Sequence, residues 1–328
     1  MSLIYPRGVL AALLLASFVS VTVAQDQPTY TDPQEAGPDY AFQGEYVGEI
    51  PREDGVIKYG VQIIALGDGK FRSVAHEGGL PGDGWKRGME RRNDDGQIIE
   101  GKLRIETDDV DAVVADNKIT ILTKDGDVIA TLKKVIRESP TLGKKAPEGA
   151  IVLFDGTDTD HWQNGKIVQD NLLLAAVETK QKFKDHSLHL EFRTPFKPHA
   201  RGQGRGNSGL YVNNRYEVQI LDSFGLEGEN NECGGIYQIA KPGVNMCYPP
   251  LTWQTYDVDF TAPKYDADGK KTENARVTIK HNGVVIHDNL ELPNHTPGKN
   301  QESPEADGFY LQGHGNPVVF QNIWVVEK

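Results

Sequence analysis

"GNSGLYVNNRYEVQILD", residues 206–222, decides how this chain folds: Tyr216, Val218 and Ile220 alternate with Arg215, Glu217 and Gln219. Successive side chains of a strand point to opposite faces, so the apolar set enters a core and the polar set faces away from it. The pattern recurs in "SLHLEFRTP", residues 187–195, where Leu188, Leu190 and Phe192 oppose His189, Glu191 and Arg193. Further strand patterns follow in "SGLYV", "GGIYQIA", "QTYDVDF", "ARVTIKHNGVVIHDN" and "VVFQNIWVVE", with Asn282-Gly283 as a hairpin signal. Amphipathic helices are missing from this half, so the pattern predicts two sheets sharing one core, a jelly roll or β-sandwich over residues 150–328.

Upstream, "YGVQIIAL", "KFRSVAH", "GKLRIET", "NKITILT" and "DVIATLKKV" read as short strands broken by turns. They predict a small antiparallel β-domain over 41–136, a meander or partial barrel, and the fold class is therefore all-β. The polar, Pro-containing stretch Arg137–Gly149 reads as a linker, and the Pro-rich residues 25–40 as a loose lead-in. In "HEGGLPGDGW", residues 76–85, Trp85 sits on a Gly-rich loop, where it plugs a barrel end or meets a sugar or partner.

The N-terminus carries Arg7, an apolar run from Val9 to Val23 and Thr22-Val23-Ala24, the pattern of a signal peptide cut after Ala24. An exported protein, periplasmic or extracellular, is expected, with no transmembrane anchor, since no stretch approaches the ~20 apolar residues of a membrane span. The formal net charge of −12 among 328 residues argues against nucleic acid as a partner. Cys233 and Cys247 are close in sequence, and in an exported chain a loop-closing disulfide is the expectation, against two separate buried thiols or a metal pair.

Polar alternation alone describes a solvated sheet face. Two Glu, a Gln and a His, however, are poorer strand formers than the Thr that an idle face favours. A groove of carboxylates, amides and aromatic rings suits hydroxyl-rich ligands, with Tyr211, Tyr237 and Trp253 as flat surfaces or as packing. His189 and Glu191 share a strand face and offer a metal pair or an ordinary hydrogen bond. The glycines of "GQGRGNSG" lack the strand-to-helix context of a nucleotide loop, and neither a G-x-S-x-G elbow nor an H-E-x-x-H pair occurs. Asn294-His295-Thr296 matches a glycosylation sequon and marks a surface loop.

Taken in order, "VLFDGTDTDHW", "GNSGLYVNNRYEVQILDSFG", "CGGIYQIAKPGVNMCYPPLTWQTYDVDF", "NGVVIHDN" and "LQGHGNPVVFQNIWV" resemble the 3-keto-disaccharide hydrolase family over about residues 148–328. The resemblance implies a concanavalin-like jelly roll in an exported bacterial protein that cleaves glycosides oxidised to a ketone at sugar carbon 3. Such chemistry needs a base for the C2 proton, stabilisation of an enolate and an acid for the leaving oxygen. On this reading Glu217 is the base, because burial in a groove raises its pKa. His314, between two glycines, is the acid or the enolate's electrophile, or else a loop hydrogen bond. Asp222 assists or caps a turn. Glu191, Asn207, Tyr211, Gln219, Gln238 and Gln312 contact hydroxyls and the carbonyl. No cofactor is certain; a divalent metal on the ketone would draw on Glu217, His189 or His314.

Two other classes remain open. A conventional glycoside hydrolase needs two carboxyl groups, roughly 5.5 Å apart for retention or about 6.5–9.5 Å for inversion, which Glu217 with Glu191 or Asp222 would supply. A non-catalytic sugar-binding protein needs only the groove. The partner is a small-molecule or oligosaccharide substrate in every case, and the first domain is left as a possible surface or partner-binding module.

Overall fold

The structure is a computed structural model that describes residues 27–328; the signal peptide expected over 1–24 lies outside them. No helix among the described residues is long and apolar enough to cross a membrane.

Two β units each have their own core. The first is a closed, eight-stranded antiparallel barrel that runs up and down in chain order, with Gly44–Arg52 pairing both Gly55–Gly67 and Val128–Val135. Closure removes the sheet edges that a meander would expose. Inward residues such as Ile63, Phe71, Leu103 and Leu132 are wholly buried. One barrel strand, Arg91–Ile99, has the sequence RRNDDGQII, poor in strand formers, and exists because it is paired on both sides, with Lys70–Glu77 and Lys102–Glu106. Trp85 is buried edge-on against His76 and donates from Nε1 to the Glu90 carbonyl, a packing role.

The second unit is a sandwich. Its larger sheet orders Ile167–Val168, Leu172–Leu174, Val319–Glu327, His186–Arg193, Gln254–Thr261, Ala275–His281 and Val284–Leu292, and Ile151–Phe154 pairs with Val319–Glu327. The smaller sheet orders Trp162–Gln163, Val177–Thr179, Tyr310–Leu311, Ser208–Val212 and Tyr216–Ile220. Leu188, Leu190 and Phe192 of one sheet and Leu210, Val212, Tyr216, Val218 and Ile220 of the other share one core. Asn282 and Gly283, both at positive φ, make the tight hairpin turn.

The lead-in is not loose from Tyr30 onward. Tyr30 and Phe196 exchange backbone hydrogen bonds of 2.9 Å, and Tyr30 and Tyr40 pack on the Phe196 ring. Phe196 belongs to the sandwich chain but is wholly buried in the barrel's core, a burial worth about 2–3 kcal/mol. Aromatic density, which a reading of polarity and proline content passes over, is what orders this segment.

Within the stretch read as a linker, residues 139–144 are likewise laid down, on the outer face of the larger sheet. Ser139 Oγ meets Thr255 Oγ1 at 2.6 Å, Gly143 N donates to Glu191 Oε1 at 2.6 Å and Lys144 Nζ to Asp257 Oδ1 at 3.0 Å. Cys233 and Cys247, expected to form a disulfide, are instead two buried free thiols in contact with each other. Each thiol has a second neighbour: Cys233 Sγ lies 3.3 Å from Tyr256 Oη, and Cys247 Sγ 3.4 Å from the Leu221 carbonyl.

Candidate active site

The outer face of the smaller sheet carries a polar cleft of about 260 Å³. Its floor comes from two paired strands, whose register sets Tyr211 opposite Glu217 and Gly209 opposite Gln219. Those four positions share the face that alternation turns away from the core. Asn207 precedes the first strand, Tyr237 follows the second, and Gln203, Pro297, Gly298, Gln312 and His314 complete the lining.

Tyr216–Ile220 is the edge strand of its sheet, and two loops satisfy its free backbone groups. Thr296 Oγ1 accepts from Glu217 N at 2.8 Å, which docks the loop bearing Pro297 and Gly298. On the same edge, Gln219 N donates to the Gly235 carbonyl at 2.9 Å and Tyr237 N to the Glu217 carbonyl at 3.1 Å. Thr296 of the sequon is therefore a buried loop anchor, while Asn294 is exposed.

Glu217 is 3 % exposed. Burial pushes its carboxyl up to about 7, against the opposing pull of the Tyr211 hydroxyl. Tyr211 Oη lies 2.9 Å from Glu217 Oε2 and 3.0 Å from the Pro297 carbonyl, so its one proton serves either acceptor. Two glycines make the arrangement possible. A Cβ on Gly298, whose φ is +107°, would lie 2.4 Å from Tyr211 Oη, and one on Gly209 would lie 2.5 Å from Glu217 Oε1.

The amides form a chain. Gln219 Nε2 donates to Asn207 Oδ1 at 2.9 Å, and Asn207 Nδ2 donates to Gln203 Oε1 at 2.9 Å. Gln312 is placed by Ser208 Oγ, which donates to its carbonyl at 2.7 Å, and its buried Oε1 has no donor among the described residues. A sugar hydroxyl satisfies such an oxygen. His314 stands exposed at the rim.

Of the residues expected from the sequence, Glu217, His314, Asn207, Tyr211, Gln219, Tyr237 and Gln312 thus meet in one cleft, and five do not. Glu191 and His189 occupy the opposite outer face of the sandwich, under residues 139–144. There Glu191 accepts from Gly143, Asn322 and Gln321, and His189 Nδ1 meets Asp257 Oδ1 at 2.9 Å with its ring stacked on Trp324. Burial would raise the Glu191 carboxyl, but hydrogen bonds from His189, Asn322, Gln321 and Gly143 outweigh it and hold it low. Asp222 is buried in an ion pair of 2.6 Å with Arg205 Nε. Trp253 lies under the Arg193 guanidinium, and Gln238 is an exposed turn residue at φ 60°.

Consequently the three candidate metal residues do not converge, because His189 is on the far face; Glu217 and His314 share the cleft with amide oxygens. Gln203, Gly209, Pro297 and Gly298 were not singled out by sequence reasoning. Gly209 had a signal, a glycine inside a strand, which marks close approach.

Fold, cleft and relatives define a carbohydrate-active enzyme. More specifically, the chain belongs to the family of the 3-keto-alpha-glucoside-1,2-lyase-like domain, whose model matches residues 149–326, more than half of it. Among solved structures it is similar to a candidate glycosyl hydrolase from Parabacteroides distasonis ATCC 8503, with 33 % identity and a TM-score of 0.52 over 56 % of this chain and 85 % of that one. A second candidate glycosyl hydrolase from the same organism is 19 % identical, with a TM-score of 0.40 over 55 % of this chain and 99 % of that one. No curated protein matches the chain.

Proposed function

We propose that this enzyme cleaves glycosides bearing a ketone at sugar carbon 3, by elimination across C1 and C2 followed by hydration. One observation carries the reading: among the described residues the cleft has a single carboxylate, Glu217, and burial has tuned it to about 7. Displacement at an unoxidised glycoside ordinarily uses two carboxyl groups facing one bond. Glu191 is on the opposite face and Asp222 is committed to Arg205, so neither partners Glu217.

Elimination needs one base. The C3 ketone acidifies the C2 proton, Glu217 takes it, and the C–H electron pair becomes an enolate. The enolate then collapses to a C1=C2 double bond as the C1–O bond breaks, and the leaving oxygen takes a proton. Water adds at C1 of the resulting enone, giving the 3-keto sugar and the free aglycone. A base poised near working pH suits this first step. Gln312, Gln219 and Asn207 supply hydrogen bonds for the hydroxyls and the enolate, Tyr237 a ring face, and His314 at the rim a proton for the departing oxygen. The same reading places the enzyme outside the cytoplasm, directed there by residues 1–24.

The test incubates the chain with a 3-keto-glucoside and its unoxidised parent, with and without chelator, and follows C2–H exchange and aglycone release by NMR. Release from the keto substrate alone, abolished in Glu217→Gln, is expected. Turnover of the unoxidised parent overturns the reading in favour of hydrolysis, and binding without release from either substrate overturns it in favour of a sugar-binding protein.

A further inference from the structure

The barrel lies outside the residues that the family model matches, yet it grips both walls of the cleft. One wall is the segment that carries Gln203 and Asn207. Arg201 donates from Nη2 to the barrel's Leu66 carbonyl at 2.7 Å, and Arg205, buried beside Asp222, donates from Nη1 to the Ala65 carbonyl at 3.2 Å. Between these two arginines sits Gln203, whose Oε1 receives Asn207 and whose Nε2 donates to the Asn231 carbonyl at 2.8 Å.

The other wall is the Gly234–Tyr237 stretch that covers the edge of the Glu217 strand. Both flanks of that stretch are held by Arg87, on the Gly-rich excursion after residue 77, and one of them also by Arg91, the first residue of the next barrel strand. The Arg87 guanidinium donates to the carbonyls of Glu227, Gly228 and Pro242, each at 3.0 Å, and to that of Gly243 at 3.4 Å. Arg91 adds the Gly225 carbonyl and an ion pair with Glu227. Nη2 shares its two N–H groups among the first three carbonyls and Nε meets the fourth, so one rigid planar group fixes two loops relative to each other, which the point charge of a lysine in its place does not do. Apolar contact continues the grip, since Ile64 and Val74 of the barrel sit in the sandwich core.

We propose that the barrel is the positioning domain of the cleft: it sets the separation of the Gln203–Asn207 wall from the Gly234–Tyr237 wall, and so sets substrate affinity. The inference rests on the cleft being the substrate site. Arg87 and Arg201 touch neither Glu217 nor the cleft floor, so they act through the walls alone.

The experiment makes Arg87→Ala and Arg201→Ala in the full chain and measures two things, hydrogen exchange by segment and turnover of a 3-keto-glucoside. Expected are faster exchange at 233–237 in Arg87→Ala and at 203–207 in Arg201→Ala, with unchanged exchange in both cores. KM is expected to rise roughly tenfold with kcat within about twofold, since a loosened wall loses binding rather than the base. Unchanged exchange and unchanged KM in both variants overturn the proposal, as does a fall in kcat at constant KM. If the parent shows no turnover, the functional reading fails by itself, while the exchange data still decide whether the barrel holds the walls.

Discussion

Replacing Tyr211 by Phe tests the coupling between the base and its neighbour. Glu217 reaches about 7 because burial lifts it more than the Tyr211 hydrogen bond lowers it. A hydrogen bond to a charged group is worth about 1.5 kcal/mol, and 1.36 kcal/mol is one pKa unit, so losing the hydroxyl raises the carboxyl by about one unit, towards 8. A base works only when ionised, so kcat/KM climbs as pH rises through this value. The midpoint of that climb moves from near 7 to near 8 in Tyr211→Phe. At pH 6 the variant is then about tenfold slower, and above about pH 9 the two are equal. Initial rates on a 3-keto-glucoside from pH 5 to 9.5 read this directly. A midpoint that stays put or moves down refutes the coupling, and a loss equal at every pH assigns Tyr211 to substrate contact instead.

Further outcomes follow from the same geometry. Because the folded pKa of Glu217 is raised above its unfolded value near 4.5, the native state binds the extra proton and stability falls as pH rises between about 4.5 and 7. Glu217→Gln should therefore gain up to ~3 kcal/mol at pH 8 and nothing near pH 4 in urea unfolding, and an equal change at both pH values contradicts the burial argument. Gly209→Ala forces the Glu217 carboxylate aside and should lower kcat on the order of 10²-fold with native circular dichroism; full activity would mean that the carboxylate has room to spare. Glu191→Gln should leave KM and kcat alone and cost about 1–3 kcal/mol of stability, because it weakens the seat of Gly143, Asn322 and Gln321. Thiol titration should find none reactive in the folded protein and two after denaturation, whereas none after denaturation would restore the disulfide.

Much of this was legible in the strands. Period-two alternation at residues 215–220 placed Tyr216, Val218 and Ile220 in a core and Glu217 and Gln219 outside it. The same logic was right about the face of His189 and Glu191 and silent about what covers it. Alternation says which side of its own sheet a residue takes, but not that residues 139–144 fold back over one of the two outer faces. Aspartate- and arginine-rich Arg91–Ile99 was unreadable as a strand because its stability comes from partners on both sides. Barrel closure is a property of register summed over eight strands, which no local window holds. The cysteines were near enough to pair, but their redox state depends on chemistry that spacing does not encode.

That covering segment also chooses between two faces. A sandwich has two outsides, and here both carry a carboxylate and an amide or imidazole in the same alternating pattern, one open and one sealed by the chain's own backbone. On the proposed reading the covered pair, Glu191 and His189, is therefore withheld from sugar, and the chemistry is confined to the face that carries Glu217.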